Sequence, residues 1–81
     1  MSTKNIQATA LHRFLQNENI VRHLQELTAA YHPMIIRPAD DPNAPWELTE
    51  EEVQTILRTY LPDLSAVISG SALVIYREKK E

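Results

Sequence analysis

Cysteine is absent from this 81-residue sequence. No disulfide can brace the fold and no thiolate can hold a metal, so stability must come from packing or from a partner's surface. Extracellular domains of this size usually carry such staples, and their lack predicts a reducing, cytoplasmic setting. Glycine is almost absent as well, with Gly70 the only one. Phosphate-cradling loops need several glycines, because backbone amides must approach the anion without a Cβ in the way. A single glycine excludes both the P-loop and the dinucleotide fingerprint. Long apolar runs are missing too: the stretch from Leu64 to Tyr76 is interrupted by Ser65, Ser69, Gly70 and Ser71. A membrane-spanning helix needs about 20 apolar residues, so none is expected. The polar start Ser2-Thr3-Lys4-Asn5 does not read as a signal peptide.

What is present fits one small globular domain covering residues 1–81. Apolar residues at 43% and charged residues at 23% argue against disorder. A chain this short hides only about 60–65% of the surface its unfolded form exposes. The net charge of −3 opposes non-specific attraction to nucleic acid or anionic lipid.

Apolar spacing predicts a first helix from Thr3 to Gln16, with Ile6, Ala10, Leu11, Phe14 and Leu15 on its buried side. A second, from Glu18 to Tyr31, carries Ile20, Val21, Leu24, Leu27 and Tyr31. The two stripes are roughly 90° out of phase, so a break is expected near Asn17, which reads as an N-cap. Pro33 ends the second helix. Four of the five prolines fall between Pro33 and Pro45. Within that stretch Met34-Ile35-Ile36-Arg37 reads as a short strand, and Asp40-Asp41-Pro42-Asn43 as a turn. The third helix opens on a capping box, Thr49-Glu50-Glu51-Glu52, with Leu48 and Val53 as a hydrophobic staple. Its buried stripe is Val53, Ile56, Leu57, Tyr60 and Leu61, and Pro62 ends it. From Asp63 to Arg77 two readings compete. In the favoured one Asp63 caps a short helix that Gly70 terminates, and a strand from Ala72 to Arg77 pairs with Met34–Arg37. In the other, the whole segment is one helix. The expected fold is therefore α+β and helix-dominated, three main helices with a two-stranded β element, against an all-α four-helix alternative.

No constellation in the chain carries recognisable chemistry. His12, His23 and His32 lack the converging second pair that metal ligation needs, and they read as solvated surface histidines. Ser65, Ser69 and Ser71 have no base beside them in sequence and read as small packing residues. The acids Asp40, Asp41, Glu47, Glu50, Glu51 and Glu52 occur with no basic residue among them. They read first as a solvated face and second as a docking rim for a basic partner. Trp46 lies outside every periodic stripe. It reads first as a lid on the core and second as an anchor for a partner. A winged-helix layout is compatible with the order of elements, but three glutamates opening the third helix would repel phosphates.

The expected function is a non-catalytic interaction or regulatory module acting through a protein partner, with a homodimer as one form of it. Its contact residues are Trp46, Asp40, Asp41, Ile36, Glu50 and Glu51. No enzyme activity, metal or cofactor is expected. The competing expectation is a small nucleic-acid-binding regulator using Arg77, Lys79 and Lys80.

Overall fold

The computed structural model describes residues 3–38, 41 and 43–78. Its elements are α1 (Thr3–Gln16), α2 (Glu18–Ala29), β1 (Met34–Ile36), α3 (Glu50–Tyr60), β2 (Ser65–Ser69) and β3 (Ala72–Tyr76). The class is α+β and helix-dominated, as expected, but with three strands rather than two.

Local chemistry places the helix ends. Asn17 adopts an extended backbone and its side chain accepts the amides of Asn19 (3.0 Å) and Ile20 (3.3 Å). That cap breaks the chain between α1 and α2, so both out-of-phase stripes can face one core. α2 stops at Ala29, two residues short of the expected Tyr31. The amides of Tyr31 and His32 turn back onto the carbonyls of Thr28 and Leu27, a Schellman closure. Tyr31 takes the left-handed position of that closure, with φ 60°, where glycine is the usual occupant. At α3 the capping box forms as read: Thr49 Oγ1 accepts the Glu52 amide (3.1 Å) and Glu52 Oε1 accepts the Thr49 amide (3.2 Å). Leu48 and Val53 of the staple are both buried. Lys4 reaches Glu52 at 2.8 Å and ties α1 to α3.

The sheet is antiparallel throughout, in the order β1-β3-β2. The strand at Ala72–Tyr76 and its pairing with Met34–Ile36 match the sequence reading. The short helix expected before Gly70 does not exist, nor does the single helix from Asp63 to Arg77. Ser65–Ser69 is a strand that pairs with β3 from Ser65↔Tyr76 to Ser69↔Ala72. Gly70 has φ 61° and, with Ser71, makes a two-residue hairpin turn instead of a helix cap. The physical reason is the register: Ala66 and Ile68 point inward beside Ile75 and Leu73, a period of two that a helix would scatter.

One contiguous core joins the layers. Leu73 and Ile75 of the central strand are fully buried under Leu24, Val53 and Leu57 from the helices, with Leu11, Leu15, Leu61 and Leu64 around them. α1 is rotated from its expected setting. Its buried residues are Gln7, Leu11 and Leu15, while Ile6 stays 42% exposed and Ala10 is exposed.

α3 also closes the free edge of β2. The amides of Ala66 and Ile68 donate to Gln54 Oε1 and Glu50 Oε2, each at 3.0 Å, and Gln54 Nε2 donates to the Leu64 carbonyl at 3.1 Å. Two side chains one helical turn apart thus satisfy the backbone groups that a neighbouring strand would otherwise take.

Candidate functional site

The segment from Pro45 to Leu48 runs between α1 and α3, and Gln7 fastens it. Gln7 is buried although polar, because both ends of its amide are used. Nε2 donates to the Pro45 carbonyl (3.3 Å), and Oε1 accepts the Glu47 amide (2.8 Å). Trp46, between those two residues, is held at two further points. Its amide donates to the Gly70 carbonyl at 3.4 Å and its indole N–H to the Ile36 carbonyl at 3.3 Å. The ring is half-buried and packs on the core. It therefore serves as a lid, yet part of it is left to line a groove.

That groove has a volume of about 320 Å³, at the lower end of the range typical of ligand pockets. Ile6, Ala10 and Phe14 of α1 form one wall, and Ile36, Pro38 and Trp46 form the other. Gln7 and Leu11 lie along it as well, but the Gln7 amide is spent on the loop. Arg37 is the one charged residue of the lining. An apolar trough in which the Gln7 amide and the Trp46 indole are already paired suits an apolar side chain or a short apolar segment. It offers no nucleophile with a base.

The residues singled out from sequence separate into groups. Trp46 and Ile36 meet in the groove. Asp41 is exposed and works locally, its carboxylate accepting the Asn43 amide at 3.1 Å and its carbonyl the Ala44 amide at 3.0 Å. Asp40, like Lys79 and Lys80, lies outside the described residues. Glu50 is engaged with the Ile68 amide. Glu51 is exposed and borders a second, shallower hollow of about 370 Å³ with Ala8, Leu48 and Ile56. Glu52 joins that border, and its carboxyl is held below the usual carboxylate range by the hydrogen bond from Lys4 and then by the Thr49 amide. Sequence reasoning assigned Ile6, Ala10 and Phe14 to the core. The structure leaves Ile6 and Ala10 exposed and Phe14 half-buried, all three lining the groove. No signal within the helix announces this, because it follows from the burial of Gln7, whose partners Pro45 and Glu47 lie far along the chain.

His12 is half-buried rather than solvated. Its Nδ1 shares a hydrogen bond of 2.8 Å with the Tyr60 hydroxyl, edge-to-face, and Gln16 Nε2 donates to the same oxygen at 3.2 Å. This cluster joins α1 to the end of α3. His23 and His32 are exposed. Among the described residues no three His, Asp or Glu side chains converge as a metal site would require, and no helix is long and apolar enough to cross a membrane.

The elements run α-α-β-α-β-β, and the helix that stands directly before the β2–β3 hairpin is α3. Its exposed side carries Glu51, Thr55, Arg58 and Thr59. Both threonine hydroxyls donate back along the helix, to the carbonyls of Glu51 (2.9 Å) and Thr55 (3.1 Å). Comparison with protein-family models, characterised proteins and solved structures returns no match.

Proposed function

We propose that this chain is a non-catalytic interaction module that receives an apolar segment of a protein partner in the groove beside Trp46. The observation that carries the reading is the groove itself: an open apolar trough in which the Gln7 amide and the Trp46 indole are already paired, walled by the one tryptophan of the chain. Aromatic residues set in such troughs dominate the energetics of protein interfaces. Exposed acids stand on the same loop and at the start of α3, Asp41, Glu47 and Glu51. They favour a segment whose apolar residue is flanked by lysine or arginine, acting chiefly on approach and register.

A random peptide library displayed against the full chain tests this. Enrichment of peptides with an aromatic or large aliphatic residue next to basic ones is the expected result. Ala10→Arg, which fills the groove from the exposed side of α1, should abolish it. Enrichment of acidic peptides, or binding indifferent to Ala10→Arg, would sink the reading. The placement of α3 directly before a β-hairpin favours nucleic-acid binding as a second reading. Salt-sensitive, sub-micromolar retardation of duplex DNA at about 0.15 M salt would put it in place of the first.

A further inference from the structure

Of the polar side-chain groups along the Trp46 groove, two are already spent. The Gln7 amide holds Pro45 and Glu47, and the Trp46 indole N–H donates to Ile36. The third is the Arg37 guanidinium. It is exposed, and among the described residues no hydrogen bond or ion pair holds it. The walls around it, Ile6, Ala10, Phe14, Ile36 and Pro38, are apolar.

An occupant that is apolar throughout displaces water from this guanidinium and returns nothing to it. A charge stripped of water without a partner is costly. An occupant that brings an anion reverses the sign, because the planar fork of guanidinium N–H donors matches both oxygens of a carboxylate. A segment running on through the groove meets a second difficulty. Its peptide groups lose water to walls whose side chains, Arg37 apart, have no hydrogen-bonding group left to offer. The groove, at about 320 Å³, is also at the small end for a ligand pocket, which suits a side chain better than a length of chain. A chain end answers all three points. Only its last side chain enters, and its carboxylate stands on the same Cα, so one residue supplies both the apolar plug and the anion.

We infer that the groove captures the C-terminus of a protein partner, with an apolar last side chain against Trp46 and Phe14 and its α-carboxylate on Arg37. This rests on the groove reading above and narrows it from any apolar segment to a chain end. The basic residues favoured by the exposed Asp41, Glu47 and Glu51 then lie upstream of that end. Those acids select a polypeptide over a small apolar acid, which has no upstream cations to set against them.

Fluorescence anisotropy with the full chain and a labelled hexapeptide, Gly-Ser-Lys-Arg-Ser-Phe, tests it. The free acid should bind about tenfold tighter than the C-terminal amide, and than the same peptide extended by two serines. Bulk electrostatics gives the opposite order for the amide, since the amide is the more cationic peptide and the chain carries −3. Arg37→Gln, at an exposed position, should keep the wild-type circular dichroism and melting temperature and bring the acid down to the amide. Arg37→Lys should recover part of the difference. Equal binding of acid and amide, both lost in Ala10→Arg, would overturn the capture of a chain end and leave the groove reading in place. Absence of binding by every form would overturn both. Octanoate that displaces the peptide at concentrations near the peptide's own Kd, and fails to bind Arg37→Gln, would assign the site to a small amphiphile instead.

Discussion

Of the two roles that its sequence position left open, Trp46 takes the lid, with part of its ring left in the groove. Its amide and indole N–H are committed to Gly70 and Ile36, and its ring packs on the core while lining the groove. Since the ring is only half-buried, Trp46→Ala should cost about 2 kcal/mol, below the full cost of deleting a buried aromatic. Urea denaturation followed by circular dichroism measures this, and a loss above about 4 kcal/mol would make Trp46 a core residue and little else. The strand that carries Ile36 was legible because Met34, Ile35 and Ile36 form an apolar triplet between prolines. Ile6 and Ala10 were not, since periodicity counts every apolar residue toward the core and every amide toward solvent. Gln7 defeats that count: its two partners, Pro45 and Glu47, are 38 and 40 positions away in the chain and cannot be read from a helical window.

At the scale of elements, α1, α2 and α3 were legible because their ends carry their own signals, Asn17 at one and Thr49 with Glu52 at another. The segment before Gly70 was not, because a short apolar run does not distinguish strand from helix. Asp63 and Gly70 imitate the caps of a helix there, and only the pairing of Ala66 with Ile75 reveals otherwise. The resulting strand would be an exposed template without the pair of side chains from α3. Gln54→Leu keeps the size of the side chain but leaves the Ala66 amide and the Leu64 carbonyl without it. It should destabilise the fold by about 2 kcal/mol and raise the rate of aggregation, read by chemical denaturation and by light scattering. A variant as stable and as soluble as the wild type would show that water satisfies this edge as well as Gln54 does.

At the scale of the whole molecule, the salt bridge among the described residues is Lys4–Glu52, which ties α1 to α3. Binding to Lys4 and to the Thr49 amide lowers the Glu52 pKa in the folded state. Folding therefore favours the ionised form, and the stabilisation is present in full above the ordinary carboxylate range. It is lost as pH falls through the depressed folded value. Glu52→Gln should lower the melting temperature at neutral pH and flatten its decline in acid. Parallel melting curves for the two proteins from neutral to strongly acidic pH would show that the pair contributes nothing. The three parts of the chain also converge on Trp46: β1 through Ile36, the hairpin through Gly70, and α1 through the loop that Gln7 holds. Because it is the sole tryptophan, light at the red edge of its absorption excites it apart from the three tyrosines. Its emission colour and polarisation then follow the docking of all three parts, and any occupant of the groove, without an added dye.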